Sequence, residues 1–108
     1  MTETGRDFNG ALKKAINETI QSLLGPGVLE ALYRVLAEKH SVTTEELPCR
    51  MEKLWEVLEQ GLGHVSSRTV GRSIAKRFYS ELGLQFVPNP EWTLLDYLEE
   101  AKRKVANP

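Results

Sequence analysis

The sequence predicts an all-α protein, a compact orthogonal bundle of about five helices with one short extended segment near residues 84–87. Three observations favour this class. Apolar residues recur at steps of three and four in five separate segments, the period of a helix with one buried face. Glycine or proline separates most of these segments, so the connections are short. The apolar stripes are too short for a coiled coil, which favours tightly joined, crossing helices.

The first helix is predicted from about Phe8 to Leu24. Asp7 or Asn9 can cap its start, because their side chains accept hydrogen bonds from backbone N–H groups that lack a helical partner. Its apolar stripe consists of Phe8, Leu12, Ile16, Ile20, Leu23 and Leu24.

A second helix is predicted to follow immediately. Gly25 suits the left-handed position after a helix, and Pro26 is well accommodated in the first turn of the next one. This helix runs from about Pro26 to Glu38 or Lys39, and its stripe consists of Val28, Leu29, Leu32, Val35 and Leu36. Two helices joined this tightly form a corner or a hairpin.

A capping box precedes the third helix. Glu46 stands three residues after Thr43, the spacing at which a hydroxyl and a carboxylate cap each other's backbone N–H groups. The pattern predicts a short helical turn, after which Pro48 opens a helix from about Cys49 to Gln60 that ends at Gly61. Its stripe consists of Met51, Leu54, Trp55 and Leu58.

The fourth helix is predicted to start at Ser66 or Ser67, both suitable caps, and to reach Leu82, with Gly83 as its terminator. Its buried edge consists of Val70, Ile74, Phe78 and Leu82. Gly71 lies inside this helix, where glycine costs about 1 kcal/mol relative to alanine. A close helix crossing would explain that cost, and so would neutral drift.

The extended segment at residues 84–87 is apolar and β-prone, and the prolines of residues 88–90 end it. We expect it to lie on the core, with pairing to a partner strand as a further option. Thr93 caps the last helix, with Asp96 three residues later. The apolar face of this helix consists of Leu94, Leu95, Tyr97, Leu98, Ala101 and Val105.

Length and composition restrict the functional class. The 108 residues are expected to form a single domain, with residues 1–6 disordered, and the net charge of −1 is unlike that of a general nucleic-acid coat protein. No apolar run reaches the ~18–20 residues of a membrane span. Residues 1–10 lack the hydrophobic stretch of a signal peptide. We therefore expect a cytoplasmic protein that makes no membrane contact.

No catalytic residue, metal site or cofactor is predicted. Cys49 is the sole cysteine, so the chain cannot form an internal disulfide. With His40 and His64 as the two histidines, it also has too few cysteine and histidine ligands for a zinc site. We interpret Cys49 as a small apolar residue at a helix start, with a reactive thiol as the alternative. An enzyme that uses a pocket holding His64 or Cys49 is our third functional hypothesis.

A row of basic residues marks the outer face of the predicted fourth helix. His64, Arg68, Arg72 and Lys76 recur every four residues, and Arg77 lies beside them. We call these five residues the basic face. Arginine binds phosphates and carboxylates through two parallel hydrogen bonds. The pattern is compatible with a solvated surface, a protein-binding face or a nucleic-acid-binding face.

The nucleic-acid alternative has a specific form. Residues 66–72 resemble the opening of a recognition helix in helix-turn-helix proteins, which presents small polar residues and arginine to base edges. Residues 61–64 would then form the turn. Glu52, Glu56 and Glu59 on the preceding helix would raise the cost of approaching a phosphate backbone unless they point away.

Aromatic residues provide the remaining candidates. We expect Trp55 and Trp92 to act as core or half-buried anchors, with Trp92 part-exposed after the proline-rich turn and able to join a partner surface. The hydroxyls of Tyr33, Tyr79 and Tyr97 are expected to reach the surface.

Three runs, residues 24–33, 74–84 and 94–101, resemble the nitrosopumilus output domain family, a group of small archaeal helical domains. The resemblance spans about residues 20–103. It implies an archaeal cytoplasmic protein with a regulatory or signal-transduction role and no catalytic site.

Our leading hypothesis is a non-catalytic regulatory or adaptor domain, or an accessory subunit, that binds another protein or a second copy of itself. Near-zero net charge does little to keep copies apart. The binding residues would be His64, Arg68, Arg72, Lys76, Arg77 and Trp92. The alternative is nucleic-acid binding through the arginines and the lysine of the same face.

Overall fold

The computed structural model describes residues 4–106 and places five α-helices and one 3₁₀-helix there. The α-helices are α1 (Thr4–Leu24), α2 (Pro26–His40), α3 (Met51–Leu62), α4 (His64–Leu82) and α5 (Leu94–Ala106), and the 3₁₀-helix spans Leu47–Cys49. Within residues 4–106 there is no strand. The prediction of an all-α bundle of five helices is therefore confirmed.

The two longest helices, α1 and α4, pack against each other along their length. Lys14 pairs with Glu81 at 3.3 Å, and Glu18 pairs with Arg77 at 3.3 Å. A step of four residues forward on α1 is thus a step of four back on α4, so the two helices run antiparallel. α2 packs on α1 and α3, and α5 packs on α4 and α3.

The core lies between these helices and consists of most of the predicted apolar stripes; the prediction was wrong for Leu23 and Val28, which are 53% and 41% exposed. Leu12, Ile16 and Ile20 of α1 meet Ile74 and Phe78 of α4, and all five are at most 1% exposed. Burying a side chain of this size contributes about 1.5–3 kcal/mol. Because the apolar stripes are largely buried in the core, any binding surface must lie mainly on the remaining faces of the helices.

A single glycine connects the helices of each consecutive pair at the two tightest corners. Gly25 (φ 97°, ψ 159°) joins α1 to α2, and Gly63 (φ 87°, ψ 172°) joins α3 to α4. Only glycine adopts this backbone conformation readily. The N–H of Gly63 donates to the Glu59 carbonyl at 2.9 Å, and its carbonyl accepts from the Ser67 N–H at 3.1 Å. One residue therefore closes one helix and opens the next.

The predicted boundary between the third and fourth helices was wrong. α3 continues through Gly61 to Leu62, and α4 begins at His64. Ser67 does not cap the helix; it is buried in the first turns, where its hydroxyl donates to the His64 carbonyl at 3.0 Å. The chain reverses direction at Gly63, where φ is positive, and not at the helical Gly61.

The first helix also begins earlier than predicted. It starts by Thr4, so positions 7 and 9 lie inside α1 and not at its start. The expected disorder of residues 1–6 falls on residues 1–3, which lie outside the described part, and on residues 4–6, which belong to α1.

The capping box before α3 is confirmed. The Thr43 N–H donates to Glu46 Oε1 at 3.1 Å, and the Glu46 N–H donates to Thr43 Oγ1 at 3.2 Å. Pro48, however, lies in the 3₁₀-helix, and α3 begins only at Met51 because the backbone of Arg50 is not helical (φ −126°, ψ 42°).

The segment between α4 and α5 is extended and lies on the core, as predicted. The Phe86 ring packs 5.5 Å from that of Tyr79 and 5.1 Å from that of Tyr97, measured between ring centroids. The hydroxyl of Tyr97 donates to the Asn89 carbonyl at 3.1 Å and accepts from the Asn89 N–H at 2.8 Å. These contacts attach residues 84–92 to α4 and α5, and no strand within residues 4–106 pairs with them.

The expectation of surface hydroxyls was wrong for two of the three tyrosines. Tyr79 and Tyr97 are buried, and the Tyr79 hydroxyl donates to the Tyr97 carbonyl at 2.7 Å. Tyr33 is half-buried, and its hydroxyl donates to Asn17 Oδ1. Carbonyl oxygens inside the protein accept the hydrogen bonds of these hydroxyls, and the spacing of the tyrosines in the sequence did not predict these bonds.

A close helix crossing explains the glycine inside α4. An added Cβ on Gly71 would lie 2.8 Å from Cζ3 of Trp55 and 3.3 Å from Cβ of Leu94. Carbon atoms attract best at about 3.5–4.0 Å, so only a residue without a side chain allows α3 and α5 to approach α4 this closely. Trp55 is accordingly a core residue, 8% exposed.

No helical segment between residues 4 and 106 combines the length and the apolar character that a bilayer span requires.

Candidate functional site

The basic face lies on the outer side of α4, but its residues differ in their interaction partners. His64 Nδ1 lies 3.5 Å from a carboxylate oxygen of Glu59. Arg68 is half-buried and donates from Nη2 to the Glu91 carbonyl at 3.2 Å. The Nε atom of Arg68 is buried without a hydrogen-bond partner among the described residues. His64 and Arg68 are therefore both in contact with residues outside the basic face.

The far end of the face is also compensated. Arg77 Nη1 lies 3.3 Å from Glu18 Oε1 on α1. Both side chains are well exposed, and such surface ion pairs contribute about 0.2–1 kcal/mol. The pair fixes the position of the guanidinium more than it stabilises the fold.

Arg72 and Lys76 form the uncompensated centre of the basic face. Both are exposed, and neither makes an ion pair or a side-chain hydrogen bond with any residue in the range 8–106. They lie one helical turn apart, about 6 Å along the axis. Two neighbouring positive charges on a rigid helix therefore face the solvent.

Trp92 lies near the start of the basic face. It is half-buried, with its ring centroid 5.2 Å from that of Tyr97 in an edge-to-face arrangement. The bond from Arg68 to the Glu91 carbonyl brings this loop to the first half of α4. Lys76 lies eight residues beyond Arg68, about 12 Å further along the helix. The predicted site residues thus share one side of the molecule but do not converge on one point.

A polar cleft opens beside the basic face, between α1 and α4. Its volume is about 360 Å³, and its lining consists of Thr19, Ser22, Leu23, Ser73, Lys76, Arg77 and Ser80. Thr19 is 2% exposed, and its Oγ1 has no hydrogen-bond partner among the described residues. The cleft brings together residues of two helices that are at least 50 positions apart in the chain.

The spacing of residues within each helix did not predict this cleft. A signal was present, since Lys14 and Glu18 on α1 and Arg77 and Glu81 on α4 both show a cation followed four residues later by an acid. Two such helices match when they run antiparallel, which would have predicted their pairing and placed Ser73 opposite Ser22.

A second cleft, about 320 Å³, is apolar and lies between the ends of α1, α2 and α3. Ten residues line it: Ile20, Leu24, Val28, Ala31, Leu32, Val35, Val57, Leu58, Gly61 and Leu62. Val28 is 41% exposed at its rim. This apolar groove contains no titratable side chain and offers only hydrophobic contact.

Cys49 is exposed and lies in the 3₁₀-helix, next to an open cleft of about 680 Å³ that Phe8, Pro48 and Lys102 also line. It does not occupy the start of an α-helix as expected, because α3 begins two residues later. Among residues 8–106, no three His, Cys, Asp or Glu side chains are grouped closely enough to hold a metal ion.

Comparisons with models of known protein families, with curated proteins and with solved structures find no match to this chain.

Proposed function

We propose that this protein is a non-catalytic regulatory or adaptor domain that binds an acidic segment of another protein through α4. One observation carries the proposal: Arg72 and Lys76 are exposed on adjacent turns of a rigid helix, and neither makes an ion pair with an acid among residues 8–106. The proposal includes a cytoplasmic location and membership of the nitrosopumilus output domain family, with the regulatory role which that resemblance implies.

An acidic partner fits the charges of this surface. Glu59 lies beside His64 and Glu18 pairs with Arg77 at the two ends of the basic face, whereas Arg72 and Lys76 at its centre make no ion pair within residues 8–106. Carboxylates bind arginine through two parallel hydrogen bonds, and complementary charge also accelerates association. Trp92 would add a half-exposed aromatic contact of the kind that is frequent at binding hot spots.

A second copy of this chain is a less suitable partner for the same face. In a two-fold symmetric contact centred on this face, residues near the axis lie close to their own equivalents in the other copy. Arg72 and Lys76 of one copy would then approach those of the other, and like charges at close range cost affinity. An acidic partner avoids this repulsion.

Nucleic-acid binding through a helix-turn-helix has less support from the geometry. That motif joins its helices by a turn of three or four residues, whereas Gly63 is the single residue between α3 and α4. Two of the predicted base-reading groups in the first turns of α4 are also engaged within the fold, because Ser67 is buried and Arg68 donates to the Glu91 carbonyl. Glu59 lies beside His64, where it would repel a phosphate backbone.

The test measures binding of a fluorescent glutamate-rich peptide to the full chain at low and at physiological salt. We expect salt-dependent binding that the double variant Arg72→Glu/Lys76→Glu weakens by about tenfold or more, equivalent to about 1.4 kcal/mol. The matched control is Lys39→Glu/Lys102→Glu, which makes the same charge change at two exposed lysines of α2 and α5. The control should retain affinity within about twofold.

Three results would contradict the proposal. The peptide does not bind, the control loses as much affinity as the α4 variant, or duplex DNA of equal charge binds more tightly than the peptide. The last result would support the nucleic-acid alternative.

A further inference from the structure

The interface between α1 and α4 changes character along its length. Lys14 pairs with Glu81 and Glu18 pairs with Arg77, so the residue numbers of opposed partners add to the same total. The same register places Ser22 opposite Ser73. Here the ion pairs give way to two small hydroxyl side chains, which are too short to fill the space between the helices. The polar cleft of about 360 Å³ opens at this point.

The lining of the cleft is rich in hydrogen-bond donors and carries excess positive charge. Four hydroxyls (Thr19, Ser22, Ser73 and Ser80) and two cations (Lys76 and Arg77) line it. The acid nearest to these cations is Glu18, which contacts Nη1 of Arg77. A guanidinium has five N–H donors, so this contact leaves others available. Lys76 has no acidic partner among the described residues.

Thr19 provides an independent indication of a ligand. The residue lines the cleft and is 2% exposed, and its Oγ1 has no hydrogen-bond partner among the described residues. Buried polar atoms in folded proteins are almost always hydrogen-bonded, and an exception calls for an explanation. An acceptor oxygen held in the cleft would complete the bonding of this hydroxyl, given a rotation about the Cα–Cβ bond.

We propose that the cleft between α1 and α4 binds the phosphoryl group of a phosphate monoester. Such a group carries a charge of about −1.5 to −2 and three strong acceptor oxygens, which match two cations and a set of hydroxyl donors. Lys76 supplies the uncompensated charge, Arg77 adds donors while it keeps its contact with Glu18, and Thr19, Ser73 and Ser80 donate from the two helices. This proposal does not depend on the proposed function, with which it shares only the basic residues at positions 76 and 77.

The volume of the cleft suits a small group. Ligand clefts usually measure roughly 300–1,000 Å³, and this one is at the lower end. The phosphate monoester has two sources, free phosphate or a phosphorylated side chain of a protein. The experiment therefore uses inorganic phosphate and a short phosphoserine peptide as separate probes, with the unphosphorylated peptide as the reference.

Binding is followed through the backbone amide shifts of the full chain by two-dimensional NMR. We expect saturable shifts at residues 19–23 and 73–80 with both phosphate probes and none with the unphosphorylated peptide. Tighter binding of the phosphoserine peptide assigns the site to a phosphorylated protein, and tighter binding of inorganic phosphate assigns it to the free ion. Either order supports the proposal.

Two substitutions test the named contacts. Lys76→Gln should weaken phosphate binding by about tenfold or more, because it removes a charge-assisted hydrogen bond. Arg72→Gln is the matched control: it removes the same charge from the neighbouring turn of α4, outside the cleft, and should change the affinity by less than about twofold at physiological salt. Arg72→Gln should nevertheless weaken binding of the acidic peptide, so this test can be distinguished from that of the proposed function.

Thr19→Val keeps the shape of the side chain and removes the hydroxyl. We expect phosphate affinity to fall by about threefold, with no loss of thermal stability, because the hydroxyl has no protein partner. Ser73→Ala, at a half-buried site, makes the same test if the valine variant does not fold. The proposal is overturned if neither probe gives saturable shifts, if the shifts map outside the cleft, or if Arg72→Gln weakens phosphate as much as Lys76→Gln does.

Discussion

Gly71 provides the sharpest test of the packing, because replacement by alanine brings two effects of opposite sign into competition. In a helix interior, alanine is favoured over glycine by about 0.8–1 kcal/mol. The added methyl group, however, would lie 2.8 Å from Cζ3 of Trp55 and 3.3 Å from Cβ of Leu94. The closer distance is roughly 0.7–1.2 Å below the optimum for two carbon atoms.

Relief of this steric clash would require movement of well-packed groups. The indole of Trp55 is rigid and 8% exposed, and Cβ of Leu94 moves only with the backbone of α5. Inserting a methyl group into a packed core costs about 1–3 kcal/mol. Subtracting the helix-propensity gain leaves a destabilisation of up to about 2 kcal/mol for Gly71→Ala, which lowers the Tm by up to roughly 16 °C.

The matched control is Gly10→Ala, the same substitution inside α1. Gly10 is exposed, and nothing lies within 4 Å of an added Cβ. Only the propensity effect operates there, so we expect a stabilisation of about 0.5–1 kcal/mol. Urea unfolding followed by circular dichroism measures both variants.

A double variant identifies the clash itself. Trp55→Phe removes the ring atoms nearest to Gly71. In the Trp55→Phe background, Gly71→Ala should cost at least about 0.5 kcal/mol less than in the original protein. The reasoning is refuted if Gly71→Ala stabilises the protein as Gly10→Ala does, or if the two substitutions are additive.

Three further predictions concern stability. Thr43→Ala should cost about 0.5–1 kcal/mol in urea unfolding, because it removes the acceptor for the Glu46 N–H; no change would mean that the capping box contributes nothing. Gly63→Ala should cost about 1–3 kcal/mol, since φ 87° and ψ 172° strain any residue with a Cβ; a neutral Tm would contradict this. Burial raises the pKa of Tyr79 from 10.0 to about 12. The contribution of neutral Tyr79 to the free energy of unfolding is therefore fully present below pH 10.0. It is lost as the pH rises to about 12, by up to about 1.4 kcal/mol per pH unit. Tyr79→Phe should flatten this part of the stability profile measured by alkaline urea titrations, and an unchanged slope would exclude Tyr79 as the cause.

Local features were predictable because their free energies depend on neighbours in the chain. The period of the apolar stripes predicted all five helices, and the three-residue spacing of Thr43 and Glu46 predicted the capping box. Helix ends were harder, because two glycines compete at the end of α3. Gly61 and Gly63 look equivalent in sequence, and only the direction in which α4 must leave selects the second.

The functional surfaces depended on contacts between distant parts of the chain. The sequence alone determined that α4 carries a row of basic residues, since that follows from a spacing of four. It did not determine which of them are compensated: Glu18 pairs with Arg77 across 59 positions, and the Glu91 carbonyl accepts from Arg68 across 23. The antiparallel packing of α1 on α4 decided the first contact and created the polar cleft, and the path of the segment before α5 decided the second. Helical periodicity reports which face of each helix is buried, whereas the shape and lining of a cleft depend on side chains of different helices, which meet only in the folded protein.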